Sequence, residues 1–213
     1  ASLESWTKNN LVYVDAPVDE VLGRRRNDAM IAFAAALPGS FYLYQGEELG
    51  LPEVLDIPAD RREDPLFIRT NGAEIGRDGC RVPLPWTTDA TTSFGFSAST
   101  ASAPWLPQPS DWGNYAAAAQ AGDPASSLEH YRHVFAHRRA LDRHAPLEWA
   151  LADSDDIVAY RRGKVLVALN VSDHDVALPA EVVSGSRVII TSVVGHTDAS
   201  NVPANACLWL LFP

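Results

Sequence analysis

The sequence predicts two kinds of structure in succession: an α/β segment over residues 1–145 and a small antiparallel β-sandwich over 146–213. Three observations predict this. A helix-spaced stretch at 18–37 passes through Pro38-Gly39 into the short aromatic run SFYLY at 40–44, the pattern of a helix feeding a buried strand. A second helix-spaced stretch occupies 123–144. Beyond Pro146 the chain turns into short β-rich runs separated by turn residues, as in a sandwich.

Residues 1–16 show no clear period. The first helix then has start signals ahead of it. Asp15 can cap, Pro17 suits a first turn, and Asp19 and Glu20 favour the positive end of the helix dipole. Val18, Val21, Leu22, Met30, Phe33, Ala34 and Leu37 are its predicted apolar positions, and Pro38-Gly39 stops it. The run at 40–44 lacks polar alternation, so it reads as a parallel strand buried on both faces. Gln45, Gly46, Glu47 and Glu48 lie directly beyond it, where α/β proteins place their sites.

Residues 50–122 are rich in Pro, Gly, Ser and Asp and are too long for an ordinary loop. Phe67, Trp86, Phe94, Phe96, Trp105 and Trp112 predict that this stretch is ordered, with a mini-core as the default role for its aromatics. Asp123-Pro124 open the second helix, whose packed face is Leu128, Tyr131, Val134, Phe135, Arg138 and Leu141. The β-rich runs follow at 157–160, 165–169, 176–178, 187–190 and 207–211.

Composition narrows the function classes. Of 213 residues 46% are hydrophobic, ample for a core, and the formal net charge of -10 disfavours a nucleic-acid partner. No apolar stretch reaches the ~20 residues of a membrane span. No basic region followed by an apolar run marks a signal peptide, so a cytoplasmic location is expected, although the chain begins with Ala. Cys80 and Cys207 read as two buried thiols, with one disulfide as the alternative. His133 and His137 form an i, i+4 pair without the glutamate of a metalloprotease helix, so no metal site and no cofactor are expected.

Four stretches together carry a family resemblance: ALPGSFYLYQGEELGLP at 36–52, Asp64-Pro65, GRDGCRVPLPW at 76–86, and GFS at 95–97 followed by PWLP at 104–107. In this order and spacing the chain resembles the α-glucosidase and oligo-1,6-glucosidase branch of the α-amylase family, glycoside hydrolase family 13. The resemblance implies the C-terminal portion of a (β/α)8 barrel, with 18–37 as its seventh helix, 40–44 as its eighth strand and 123–144 as its eighth helix, followed by the family's C-terminal β-sandwich. A barrel needs ~250 residues, so one copy of this chain cannot close it.

The resemblance also implies a retaining hydrolase of short α-glucosides. The family's nucleophilic Asp, its acid/base Glu and the Asp of its Asn-His-Asp motif have no counterpart here, so no catalytic residue is nominated and the chain alone is expected to be inactive. Two residues match substrate-binding positions. Arg77 matches the arginine that binds glucose in subsite -1, a role that suits the directed donors of a guanidinium; the competing role is an ion pair with Asp78 or another acid. Glu53 matches an acid facing subsite +1, against a plain exposed glutamate. Arg81 reads as structural. Glu47 and Glu48, adjacent at a strand end, point to opposite faces and so are no catalytic pair. The expected partners are an α-linked oligosaccharide and either further copies of this chain or the missing barrel portion, since apolar surface is left uncovered. The alternative reading is a non-enzymatic module that binds carbohydrate or a partner, or serves structure alone.

Overall fold

The computed structural model describes residues 19–98 and 102–213. Within them the chain forms two compact units that do not follow chain order. One is Gln45–Ala121; the other joins residues 19–44 to Gly122–Pro213. The change of sequence character at Pro146 therefore falls inside the second unit.

The second unit is built on a five-stranded antiparallel sheet. Its strands are β1 (Leu147–Ala150), β2 (Ile157–Arg162), β3 (Val165–Asn170), β5 (Arg187–Thr191) and β7 (Cys207–Leu211), in the order β1-β2-β3-β7-β5. A bulge between Val188 and Ile190 shifts the β5–β7 register. Alternate residues feed opposite faces. Tyr160, Val167, Ile190 and Trp209 face two helices, α1 (Glu20–Ala35) and α4 (Ser127–Ala140). Ala159, Leu166, Leu208 and Leu210 face a thinner layer, made of α5 (Ala180–Val183) and the two-stranded ladder of β4 (Val176–Ala177) with β6 (Asn201–Val202). With both faces covered, β3 is buried along its whole length, which is why VLVALN reads as an unbroken apolar run. The second unit thus has one full antiparallel sheet, with a short ladder and α5 on one side and two helices on the other.

Helix α1 starts later than its signals suggest. Asp15 and Pro17 lie outside the described residues, and the observed cap is Asp19, whose carboxylate accepts from the Leu22 N–H at 2.9 Å. Its buried face is also different: Ala29, Ile31, Ala32 and Ala35 pack inward, while Val21 is 83% exposed and Met30 half-exposed. Small side chains win because the helix backbone itself is approached closely. Trp209 Nε1 donates to Ala32 O at 2.9 Å and the Tyr160 hydroxyl to Phe33 O at 2.6 Å.

No basic side chain lies in the last turn of α1 to neutralise its carbonyls. Two arginines from elsewhere do so. Arg138 of α4 donates to Ala35 O, to Leu37 O at 2.9 Å and to Gly39 O at 2.6 Å, and Arg162 of β2 donates to Ala36 O at 2.9 Å. Cations with directed N–H groups at a helix C-terminus satisfy both its orphan acceptors and its dipole.

The run at 40–44 departs from expectation. It forms no strand, Tyr42 is 89% exposed, and Leu43 and Tyr44 are about half-exposed. A strand exists through its ladder partners, and among the described residues none pairs with this run. Helix α4 keeps its expected packed face, with Tyr131, Val134 and Leu141 buried, but it starts after Asp123-Pro124: Ser126 caps it through the Glu129 N–H, and Glu129 accepts from the Gly122 N–H.

Candidate functional site

Both nominated residues lie in the first unit, where the long irregular stretch is indeed ordered. Short 3-10 turns, α2 (Pro65–Arg69) and α3 (Ala117–Gln120) surround a small core of Val54, Ile57, Val82, Phe94 and Trp112. That core is too small to hold so much loop, and charged side chains bind the rest. Arg62 is buried and donates to three carbonyls: Ile57 at 3.0 Å, Ile75 at 3.0 Å and Leu55 at 2.7 Å. One side chain thereby ties 55–57 to 75.

Two buried acids complete the frame. Asp64 is 2% exposed and caps α2, its Oδ1 accepting from the Leu66 N–H at 2.9 Å. Its Oδ2 receives the Arg77 N–H at 3.2 Å, Arg77 Nε at 3.4 Å and Arg81 Nη1 at 3.1 Å. Asp78 accepts through Oδ2 from the N–H groups of Glu63 and Asp64, both at 2.9 Å, and through Oδ1 from Arg81 at 3.4 Å. The Leu66 N–H first, then the Arg77 N–H and the Arg81 and Arg77 side chains, hold the Asp64 carboxyl below the ordinary carboxylate range against the opposing effect of burial.

Arg77 thus pairs with Asp64, not with its neighbour Asp78. Its side chain remains 63% exposed. Arg81 bridges the two acids, the structural role read from sequence. Glu53 is exposed and lies along the same turn: a Cβ placed on Gly79 would stand 2.8 Å from Glu53 Cγ and 2.4 Å from Val54 O. The Val54 N–H donates to Gly79 O at 3.2 Å. The fold therefore brings the two predicted residues, far apart in sequence, to one ledge. It can offer N–H donors and a carboxylate acceptor to a hydroxylated ligand; it presents no pair of carboxylates across a bond.

Glu47 and Glu48 sit in a 3-10 turn, so strand alternation does not govern them. Glu48 Oε2 accepts from the Gly46 N–H at 3.0 Å. The aromatics divide: Phe94 and Trp112 are core, whereas Trp86, Phe96 and Trp105 are half-exposed. Cys80 is exposed, correcting the expectation of two buried thiols; it could not be foreseen because its turn has no periodicity. The rings of His133 and His137 lie 4.5 Å apart, with His133 Nε2 on Ile189 O and His137 Nδ1 on His133 O. No helix among the described residues is long and apolar enough to cross a membrane.

Two hollows stand out among the described residues, and neither is lined by Arg77 or Glu53. One of ≈ 450 Å³ in the first unit is bordered by Arg61, Phe94, Trp105 and Gln108. A larger one of ≈ 610 Å³ in the second unit is bordered by Asp28, His130, Arg132 and Thr191. Size alone would favour the second, but Arg132 is tied to Glu129 and His130 to Asp28 O, while Asp28 Oδ1 is buried there without a partner.

Residues 17–144 match the model of the α-amylase catalytic domain. The chain belongs to the α-amylase family. Within that family it is similar to a probable alpha-glucosidase of Rhizobium meliloti (strain 1021), 42% identical over 105 residues, which are 49% of this chain and 18% of the relative. It is also similar to the glucan 1,6-alpha-glucosidase of Streptococcus dysgalactiae subsp. equisimilis, 25% identical over 93% of this chain and 41% of that protein. Among solved structures, the alpha-glucosyl transfer enzyme XgtA superposes with a TM-score of 0.68 at 28% identity, covering 89% of this chain and 36% of that one. The chain thus spans less than half the length of these α-amylase-family proteins.

Sequence reasoning passed over Asp64, Asp78 and Arg62 as members of this frame. Asp64-Pro65 did carry a signal, an N-cap followed by proline at the first helical position. Arg62 gave none, since its partners are backbone carbonyls of other loop segments, and Asp78 was weighed only as a partner for Arg77, not for Arg81 and the Glu63 and Asp64 N–H groups.

Proposed function

We propose that this chain is part of a retaining α-glucosidase-type glycoside hydrolase acting on short α-glucosides of the maltose, isomaltose and sucrose class. In this reading it contributes substrate-binding loops and not the catalytic carboxylates, so it is inactive alone. Residues 1–145 are assigned to the C-terminal part of the catalytic barrel and 146–213 to the terminal β-domain, whose sheet packs on α1 and α4. One observation carries the assignment: in an α-amylase-family chain, the Arg77 guanidinium stands exposed while a buried carboxylate grips its Nε edge. Glu53, on the same ledge, faces the acceptor side of the bond.

The chemistry follows from the donors. Neutral sugar hydroxyls are bound by directed hydrogen bonds, and a fixed guanidinium supplies two parallel ones. A retaining hydrolase also needs two carboxylates ~5–5.5 Å apart. This ledge provides orientation, and a nucleophile and an acid/base must come from the barrel portion.

The test compares a full-length enzyme containing this chain with the 213-residue chain, on p-nitrophenyl α-glucoside, maltose, isomaltose, sucrose and trehalose. The expected result is turnover by the former and none by the latter, with Arg77→Gln lowering kcat/KM on the order of 100-fold. A full-length enzyme inactive on every α-glucoside would defeat the reading.

A further inference from the structure

Resting on the reading of Arg77 as the sugar-binding arginine, we infer that Asp64 is its positioning residue: the buried carboxylate clasps the Nε edge of the guanidinium and so aims the opposite Nη edge at the sugar. Asp64 does not touch the substrate in this arrangement. It acts through Arg77.

The argument begins with how firmly Asp64 itself is held. Its carboxylate receives the Leu66 N–H, and its own backbone N–H donates to Asp78 Oδ2. Asp78 is steadied in turn by the Glu63 N–H and by Arg81, and Arg81 returns to Asp64. This closed circuit fixes the carboxylate before Arg77 is considered. Backbone N–H groups supply three of its bonds, and these do not reorganise when a ligand arrives.

The backbone of Arg77 is then seated on that carboxylate. Its N–H reaches Oδ2 at 3.2 Å, which is possible because Gly76 precedes it. Gly76 has φ +69°, and a Cβ there would stand 2.6 Å from Asp64 Cβ and 2.7 Å from Cγ. Only glycine permits this approach. The side chain then folds back so that Nε lies 3.4 Å from the same oxygen. This contact is long, and the shorter N–H bond sets the register.

A guanidinium is planar, so engaging the Nε edge directs the Nη1/Nη2 edge away. Among the described residues neither Nη nitrogen takes a hydrogen-bond partner, while the side chain is 63% exposed. Arg81 shows the contrast: its Nη1 is consumed between Asp64 and Asp78. One arginine closes the frame and the other leaves a donor fork outside it.

The test is a double-mutant cycle in a full-length enzyme containing this chain, reading kcat and KM for p-nitrophenyl α-glucoside. Asp64→Asn is expected to lower kcat/KM about 10-fold in the wild-type background, and to add nothing to Arg77→Gln, because only a correctly aimed arginine benefits. Tyr160→Phe, whose hydroxyl serves only the helix contact at Phe33 O, is the structural control, lowering the melting temperature with kcat/KM changed less than about threefold. Losses from Asp64→Asn and Arg77→Gln that simply multiply would overturn the positioning role and leave the sugar-binding reading intact. An Arg77→Gln enzyme with wild-type kinetics would instead remove the sugar-binding reading, and the Asp64 role with it. If Asp64→Asn fails to fold, Arg77→Lys decides. Lysine keeps the charge without a planar edge to clasp, so activity near wild type would overturn the proposal, and a loss matching Arg77→Gln would support it.

Discussion

The indole N–H of Trp209 donates to the carbonyl of Ala32 at 2.9 Å, linking the last strand to the first helix across 177 residues of chain. Tyr160 repeats the contact one residue along, its hydroxyl donating to Phe33 O. Removing either donor leaves a desolvated carbonyl, which costs about 1–3 kcal/mol. Trp209→Phe is therefore expected to destabilise the chain by about 1–3 kcal/mol and Tyr160→Phe by about 1–2 kcal/mol, as read from urea unfolding midpoints. Midpoints unchanged within error for both would show that the bonds contribute nothing.

Asp28 runs against the usual carboxylate trend. Burial raises its pKa, outweighing the opposing pull of His130 and Arg24 and a hydrogen bond from Asn27, and Oδ1 has no partner. The native state accordingly holds this proton more tightly than the unfolded chain. In the window between the ordinary carboxyl value and the raised one, the native state binds more protons, so stability contributed by Asp28 falls as pH rises. Asp28→Asn should stabilise the chain at pH 7, with the gain shrinking to nothing near pH 3. Denaturant unfolding at both pH values reads this, and a variant less stable at pH 7 would contradict it.

The two thiols should be told apart chemically. Burial pushes the Cys207 thiol well above its usual value, and the side chain has no exposed surface, whereas Cys80 is exposed. A disulfide-exchange reagent should modify one thiol per chain rapidly under native conditions and two in denaturant. Two fast thiols would contradict the buried position of Cys207.

Gly79 holds the ledge together by having no side chain. An alanine Cβ there meets Val54 O at 2.4 Å, and a backbone oxygen cannot step aside as a flexible side chain can. Gly79→Ala should destabilise the chain by roughly 1–3 kcal/mol. A melting temperature equal to wild type would mean that Glu53 and the Arg77 turn are not in contact.

The exposed stretch at Tyr42 and Leu43 should drive association. Tyr42 and Leu43 present apolar surface without a strand partner. Sedimentation velocity is expected to show concentration-dependent oligomers of the 213-residue chain, diminished by Tyr42→Lys with Leu43→Lys. A monomer at every concentration would refute this.

What the sequence revealed depended on how local its cause was. Helix α4 was legible because the spacing of Tyr131, Val134 and Leu141 is local, although its start was read at Asp123-Pro124 and not at the Ser126 cap. Five of the strands, β2, β3, β4, β5 and β7, were legible from β-rich runs and turn residues, whereas β1 and the two-residue β6 were not. The run at 40–44 was misread because an apolar pattern reports burial without saying by what. The buried face of α1 was misread because hydrophobicity points to Val21 and Met30, while the demand of Trp209 and Tyr160 for close approach selects alanine. The ledge was legible only as resemblance: Asp64 and Arg77 stand 13 residues apart in an aperiodic loop, and nothing local announces that they meet.

The position of β7 sets a condition on synthesis. It comes last of the seven strands in chain order, yet it lies between β3 and β5, and β5 has no other partner among the described residues. At ~5–20 residues per second a ribosome releases this strand several seconds after α1. Until then the alanine face of α1 has no Trp209 to rest on, and β5 has no ladder to join. A message broken anywhere before Cys207 therefore yields a product whose α1 and β5 lack their seat.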